Sequence, residues 1–307
     1  GQETKAISLE EAIDLGIKNS KNLKIDEAKI EENSAQLFEA KNRQLPDFKL
    51  GASYLHLFSP NVDLKVNPGS SASGAGNIKV NNLMYGSANL TYPIFAGGRI
   101  KYGVKSAEYL IEASKLSAEN DKNAIAYNIS QAYNNLFKAS QTIKVLEENL
   151  TASQKRDETF LKLENNGLLA RNDRLKAQLQ TSNIELQLLD ANNNYNIANI
   201  NMDLLLGLPE TTVIKIDENY INNLSENQQV SYYLNQAIQN RKDLQALDYQ
   251  MKAANIGTKA AKAESLPSVA ITGGYFAADV PGLVTITNAI NVGVGVQYNL
   301  DNLWKKN

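Results

Sequence analysis

Few side chains in this sequence have the types and spacing that catalysis or metal binding requires. His56 is the single histidine and the chain has no cysteine, so a histidine triad would depend on one residue. A cluster of histidine ligands is excluded for the same reason, and no phosphate-binding glycine loop, Gly-x-Ser-x-Gly sequence or EF-hand spacing occurs. The acidic pairs Glu31–Glu32 and Glu147–Glu148 lie in predicted helices, where they are typical of solvated faces. We therefore expect no enzyme, no cofactor and no metal site.

The overall charge and hydropathy exclude two further classes of protein. The 307 residues include 31 basic and 33 acidic side chains, and the net charge of −2 predicts no nucleic-acid partner. No run of 18 apolar residues occurs, so the sequence predicts no transmembrane helix. The first residues, GQETKAISLEE, lack the basic and apolar regions of a signal peptide. Either the chain is not exported or its signal peptide has already been removed, and its strand pattern favours removal.

The stretch Ala88–Glu108, ANLTYPIFAGGRIKYGVKSAE, changes from a strand pattern to a helix pattern within a few residues. Its first half alternates apolar and polar side chains, whereas its second half continues into a segment with helical periodicity. Pro93, Gly97 and Gly98 lie between the two halves. Proline ends the hydrogen bonding of a strand and glycine relieves crowding, so we interpret these three residues as a strand-to-helix joint rather than as ligand contacts.

The predicted strands place their apolar side chains on one face. Such alternation is typical either of a sheet that packs on a soluble core or of a β-barrel wall that faces lipid. The residues on the apolar faces are Phe48, Leu50, Ala52, Tyr54 and Phe58 in the first strand, Met84, Gly86, Ala88, Leu90, Tyr92 and Ile94 in the second, and Val292, Val294, Val296, Tyr298 and Leu300 near the end of the chain. The strands taken alone favour the soluble sheet.

A long helical hairpin follows the joint. From Gly98 to about Asn165 the sequence has no proline and one further glycine, Gly103, so a single helix of ~68 residues is predicted. Its apolar positions alternate in steps of four and three, as in a coiled coil: Ile125, Ile129, Ala132, Leu136, Ala139, Ile143, Leu146 and Leu150. The segment NNGLLARND, 165–173, predicts a turn, after which a second helix returns over about 172–206.

The returning helix carries two apolar seams. One seam consists of Leu175, Leu179, Ser182, Leu186 and Leu189, and the other of Ile184, Leu188, Ala191, Tyr195, Ala198, Met202 and Leu205. An isolated pair of helices uses one seam on each helix, so two seams predict that this helix lies between neighbours in a bundle or ring.

An internal repeat organises the chain. The sequence LPDFKLGASY at 45–54 returns as LPSVAITGGY at 266–275, which is 221 positions later. We assign 1–209 to a first structural repeat, which contains a β-hairpin at about 48–95 and a helical hairpin at about 98–206. Residues 210–230 form an equatorial linker. Residues 231–307 form an incomplete second repeat, which contains a β-hairpin at about 268–300.

The predicted fold is mainly α with β: one long coiled-coil helical hairpin and two β-hairpins, which supply four strands. The tip of the first β-hairpin, 59–77, is rich in Gly, Ser, Pro and Asn, so an exposed loop is predicted there. Four strands are too few to close a barrel around a usable lumen. Three copies of the chain would supply twelve strands, an even number within the range of transmembrane β-barrels.

Four stretches carry a resemblance to a known family: SLEEAI at 8–13, LTYPIFAGGRIKYGVKSAE at 90–108, NNGLLARNDRLKAQ at 165–178 and LLLGLP at 204–209. In this order, and with the repeat, they resemble the TolC-like outer-membrane efflux proteins over nearly the whole chain. The resemblance implies a homotrimer with a twelve-stranded β-barrel in the bacterial outer membrane and an α-helical barrel in the periplasm. It also implies contact with outer-membrane lipid and a passive exit duct for substrates that an inner-membrane pump and a periplasmic adaptor deliver.

By the same resemblance, the tip of the helical hairpin would contact the adaptor through Asn166, Gly167, Leu168, Leu169, Ala170 and Asp173. Glycine permits the turn, the leucines offer apolar contact at a polar end, and Asp173 can cap the returning helix or accept a hydrogen bond. The alternative is that these residues only shape the hairpin. Family members commonly have a small or hydroxyl residue before this aspartate, whereas this sequence has Asn172.

The sequence departs from the resembled family at its end. The final residues DNLWKKN align with the start of the long helix in the first repeat, so a second long helix pair is expected to be missing. Two alternatives to an efflux channel stay open. One is a coiled-coil scaffold protein without a pore, which would cover the apolar strand face with its own residues. The other is a channel dedicated to protein secretion, as in a type I secretion system.

Overall fold

The computed structural model describes residues 4–58, 81–217, 228–281 and 283–303. The predicted loop 59–77 lies outside the described residues, and so does the 218–227 part of the predicted linker. By residue contacts the chain divides into two units. The first consists of Gly1–Lys29 and Lys115–Gln245, and the second of Ile30–Ser114 and Ala246–Asn307.

Helices make up most of the described chain, as predicted. They are α1 Leu9–Asn19, α2 Lys21–Asn42, α3 Arg99–Asn165, α4 Arg171–Leu206, α5 Val230–Asn240 and α6 Lys242–Ala263, with a short 3-10 helix at Leu300–Leu303. The predicted long helix is α3, which runs without a break for 67 residues. A capping box starts α1, because Glu11 N donates to Ser8 Oγ at 3.2 Å and Ser8 N donates to Glu11 Oε2 at 2.9 Å. Within the described residues, no helix has the length and apolar character needed to cross a membrane.

The strands form two separate sheets. They are β1 Thr4–Ile7, β2 Asp47–His56, β3 Asn82–Phe95, β4 Val213–Ile216, β5 Ser268–Val280 and β6 Val284–Gln297. The four predicted strands form one antiparallel sheet in the order β2-β3-β5-β6. The last strand ends at Gln297 rather than near residue 300, because the chain turns into the 3-10 helix there. The small parallel pair of β1 and β4 was not predicted, and β4 lies inside the predicted linker.

The core of the first unit lies where the predicted helical seams meet the β1–β4 pair. Its fully buried side chains include Ile129, Tyr133 and Leu136 from α3 and Met202 and Leu206 from α4. Ile7 of β1, Ala12 of α1 and Ile214 of β4 complete this cluster. At the end of α4 the buried residue is Leu206, whereas the predicted seam residue Leu205 is exposed.

The internal repeat is visible in the elements themselves. The helices α1 and α2 begin at Leu9 and Lys21, and α5 and α6 begin at Val230 and Lys242, so each counterpart starts 221 residues later. The same offset separates the first residues of β2 and β5. Each helix also has the same length as its counterpart. Two copies of one helix–helix–strand pattern are therefore present.

Candidate functional site

The four-stranded sheet carries a continuous exposed apolar face. Opposite residues of antiparallel strands point to the same side of a sheet, and the register pairs Leu50 with Ala88, Ala88 with Tyr275, and Tyr275 with Ile290. Further along β6, Val292 is 81% exposed. The predicted residues Phe48, Met84, Leu90, Tyr92, Ile94, Val294, Val296 and Tyr298 are also exposed. The apolar sides predicted for single strands thus join into one surface, which we call the apolar sheet face.

The opposite side of the sheet is mixed in character. Its register pairs include Asn89 with Gly274 and Thr91 with Thr272, and Tyr85 stacks near Phe276 with ring centroids 6.2 Å apart. His56 is the last residue of β2 and lies on the same side of the sheet as Tyr54 and Met84, with its Nδ1 2.8 Å from Asn82 Oδ1. Among the described residues, no group of three or more His, Cys, Asp and Glu side chains could hold a metal ion.

The predicted strand-to-helix joint contains two glycines with left-handed backbones. Gly97 has φ +61° and Gly98 has φ +85°, a region that side chains with a Cβ rarely adopt. A Cβ atom at Gly97 would lie 2.7 Å from the Ala263 carbonyl oxygen and 2.9 Å from Leu266 Cβ. Both the backbone angle and the close approach therefore favour glycine at position 97.

Pro93 was predicted to end the hydrogen bonding of its strand, but the strand continues beyond it. The ladder between β3 and β5 does not stop at Pro93, which pairs with Ala270, but continues to Phe95 and Val269 after a register shift. The joint is therefore a bulged strand end followed by two glycines. The first turn of α3 then begins at Arg99, whose guanidinium lies 4.0 Å from the carboxylate of Glu264, the residue that directly follows α6.

The tip of the helical hairpin ends α3 with a Schellman motif. Leu168 N donates to Leu163 O and Gly167 N donates to Glu164 O, both at 2.9 Å, while Gly167 has φ +70°. Leu168 is 74% exposed, whereas Leu169 is half-buried. Asn166 Nδ2 bonds back to Lys162 O at 2.8 Å. The turn geometry thus leaves one large apolar side chain, Leu168, projecting at the tip.

Of the two roles predicted for Asp173, it does not cap the returning helix but does accept a hydrogen bond. The N-cap of α4 is Ala170, which makes no side-chain capping bond. Asp173 lies in the first turn, where its negative charge still interacts favourably with the helix dipole, and it accepts from Lys176 Nζ at 3.4 Å. The chain enters α4 three residues earlier than a cap at Asp173 would require.

Polar side chains connect α3 to α4 near the tip. Ser153 and Thr181 are buried between the helices with their hydroxyl oxygens 2.8 Å apart, and Thr181 also donates to Asp157. Closer to the tip, Arg174 forms an ion pair with Glu164. Buried polar pairs in a coiled coil favour one register over others, so these contacts define how the two helices align.

The two seams of α4 have different environments. Apart from Leu205, the seam that includes Ala191, Tyr195 and Met202 is buried or half-buried within the chain, as predicted. The other predicted seam is exposed, with Leu179 at 63% and Leu186 at 61%. Leu175 and Leu189 are exposed as well. The described chain therefore leaves a leucine stripe on α4 uncovered, which we call the α4 leucine stripe.

Three side chains attach the β1–β4 pair to the helices: Tyr195 belongs to a predicted seam, whereas Tyr133 and Asn199 were not predicted. Tyr133 Oη donates to Ile7 O at 3.0 Å, and Tyr195 Oη donates to Ile214 O at 3.1 Å. Asn199 donates through Nδ2 to Thr212 O at 2.6 Å and accepts from Ile214 N at 2.9 Å. In the sequence, each of these residues is visible only as a polar side chain among apolar helix positions. That pattern does not show which residue it bonds to.

Asp203 lies beside this attachment and is fully buried. Its Oδ2 accepts from Asn199 Nδ2 at 3.0 Å. Burial raises the pKa of Asp203 to about 6, and the negative charge of Glu210 adds to the rise.

Solved structures of outer-membrane channels share this fold. VceC, an outer membrane protein of Vibrio cholerae, has a TM-score of 0.74 and 17% identity, over 95% of this chain and 68% of that one. The CmeC outer membrane channel of Campylobacter jejuni has a TM-score of 0.71 and 20% identity, over 95% and 61%. The open MtrE outer membrane channel of Neisseria gonorrhoeae has a TM-score of 0.70 and 17% identity, over 95% and 63%. The chain thus spans about two thirds of the length of these channels.

The sequence itself identifies the family. Residues 12–208, more than half of the chain, match the family described as outer membrane efflux protein. This chain belongs to that family, as its resemblance predicted. No curated protein sequence matches it.

Proposed function

We propose that the chain is a protomer of a trimeric outer-membrane efflux channel, a passive exit duct between the periplasm and the outside of a bacterial cell. The apolar sheet face is the observation that carries this proposal. Large apolar side chains there, such as Val292 and Ile290, are exposed over four adjacent strands. Fully burying each such side chain contributes about 1.5–3 kcal/mol, so a surface of this kind favours contact with lipid.

The same face argues against a scaffold protein without a pore. A scaffold would have to cover the apolar sheet face with its own residues, and the described residues leave it open. Four strands per chain cannot enclose a lumen, whereas twelve strands from three chains can. The homotrimer is therefore the assembly that removes the free sheet edges of β2 and β6.

The α4 leucine stripe supports assembly in the helical part as well. Leu179 and Leu186 form a seam with coiled-coil spacing but have no partner helix among the described residues. We propose that helices of a neighbouring protomer cover this stripe in a periplasmic α-helical barrel. The hairpin tip would then face the periplasm with Leu168 exposed, where a periplasmic adaptor carried by an inner-membrane pump would bind.

The mass of the purified chain in detergent and in plain buffer, measured by light scattering, tests the proposed assembly. A trimer of the 33.7 kDa chain that forms in detergent is the expected result. A monomer or dimer that stays in solution with and without detergent would contradict the channel and support the scaffold.

A pair of neighbouring substitutions tests the lipid contact directly. Val292→Asp places a charge on the apolar sheet face, whereas Asn291→Asp places one on the opposite face of the same strand. Charge on a lipid-facing strand position destabilises insertion, so Val292→Asp should reduce the amount of protein in the outer-membrane fraction several-fold. Asn291→Asp is the matched control and should stay near wild type. Equal amounts of both variants in the membrane would show that the apolar sheet face does not contact lipid.

A further inference from the structure

Asp203 is a buried carboxyl group to which the proposed function assigns no role. No described residue hydrogen-bonds to its Oδ1, although that atom is buried. Its Oδ2 accepts from Asn199, the same side chain that holds Thr212 and Ile214 through two short hydrogen bonds. The Asp203 carboxyl group is therefore hydrogen-bonded to Asn199, and Asn199 in turn holds β4.

The surroundings of Asp203 offer no positive charge. No ion pair joins it to a lysine or arginine in the described part of the chain, and the charged group that acts on it is Glu210, which is also negative. The elements packed around this end of α4 contribute Asn19 from α1, Tyr133 from α3 and Ile214 from β4, none of which is positively charged. Tyr195 on α4 itself remains a neutral phenol, because burial raises its pKa.

We infer that Asp203 makes the docking of the β1–β4 pair onto α3 and α4 depend on protonation. A neutral carboxyl group can stay in the apolar cluster and keep its bond from Asn199. An ionised carboxylate there is buried and has no counter-ion among the described residues, so local opening that hydrates it becomes more favourable. This inference concerns a conformational equilibrium within one chain, and it does not depend on the proposed export role.

The raised pKa of Asp203 determines the direction in which docking depends on pH. The pKa of Asp203 is higher in the docked state than in an open, hydrated state, so protonation stabilises docking. Docking is therefore tightest at low pH and weakens as the pH rises through about 6. With an ordinary pKa in the open state, linkage gives about a tenfold increase in the opening equilibrium between pH 5 and pH 8.

Hydrogen exchange of the backbone amides of 212–216 measures this opening. Exchange in the purified full chain is followed by mass spectrometry at pH 5, 6, 7 and 8, and each rate is divided by the intrinsic rate at that pH. Wild type should lose about tenfold of its protection between pH 5 and pH 8. Asp203→Asn keeps an acceptor for Asn199 but cannot ionise, so its protection should stay constant over this range. Asp190→Asn, at an exposed position on the same helix, is the matched control and should behave as wild type.

Two results would overturn the inference. One is protection of 212–216 that does not change with pH in wild type, and the other is a pH dependence that persists in Asp203→Asn. Glu210→Gln provides an independent readout if Asp203→Asn fails to fold. It removes the negative charge that acts on Asp203, so the midpoint of the pH dependence should move to lower pH. A midpoint that does not move would contradict the assignment to Asp203.

Discussion

The strand-to-helix joint makes a sharp prediction for Gly97→Ala. At φ +61° an alanine adopts a left-handed backbone that costs about 1–2 kcal/mol relative to glycine. Its Cβ would also lie 2.7 Å from the Ala263 carbonyl oxygen, and relieving such a contact by backbone movement costs a further ~1–3 kcal/mol. We expect Gly97→Ala to lower the free energy of unfolding by about 2–5 kcal/mol in all.

Gly103→Ala is the matched control, because it makes the same chemical change four residues into α3. Apart from its chain neighbours and the adjacent backbone of α3, no atom of the described residues lies within 4 Å of a Cβ at this position, and its φ is not in the left-handed range. Alanine has a higher helix propensity than glycine, so this variant should gain ~0.5–1 kcal/mol. The two variants should therefore change stability in opposite directions.

Urea unfolding followed by circular dichroism of the detergent-solubilised chain measures both variants. The midpoint of Gly97→Ala should fall and that of Gly103→Ala should stay level or rise, with the slope of the transition unchanged. If Gly97→Ala lies within 0.5 kcal/mol of wild type, the joint tolerates a Cβ and the geometric argument fails.

Two further substitutions test other surfaces. Tyr133→Phe leaves the buried Ile7 carbonyl without its hydrogen bond and should cost ~1–3 kcal/mol in urea unfolding, whereas Tyr127→Phe, at an exposed position of the same helix, should cost almost nothing. Equal costs would show that the Tyr133 hydroxyl does not hold β1. At the hairpin tip, Leu168→Ser together with Leu169→Ser should weaken binding of the proposed periplasmic adaptor by about tenfold or more in a pull-down, without loss of the proposed trimer. Normal binding by this double variant would indicate that the tip residues only shape the turn.

The helices α1 and α5 show how one local pattern can have two environments. Both are amphipathic and have the same position in the repeat. In α1, Ala12 is fully buried against the first unit's core and Asn19 Nδ2 donates to Leu206 O at 2.7 Å. In α5, the counterpart of Ala12 is Tyr233, which is exposed, and Asn240 Nδ2 bonds to Gln236 O within its own helix. The helix is a local property, whereas its burial depends on a partner.

The sequence by itself determined the long helical hairpin and the four strands of the larger sheet. Heptad spacing and the lack of proline predicted the long helix α3, the glycine at position 167 predicted its turn, and alternation predicted the apolar sheet face. These features depend on neighbours within a few residues, and periodicity records them directly.

Only the tertiary structure decided which distant residues meet. The pairing of Thr4 with Val213, the bond from Asn19 to Leu206 O and the contact of Tyr133 with Ile7 join residues more than a hundred positions apart. Folding likewise decides that Asp203 Oδ1 is buried without a hydrogen bond from any described residue. Strands of four residues are too short to show alternation, and a buried polar side chain has the same appearance in the sequence as an exposed one. The hydrogen-bond partner of such a side chain is determined only when the chain folds. The same holds for the raised pKa of Asp203, because desolvation depends on all the residues that pack around the group.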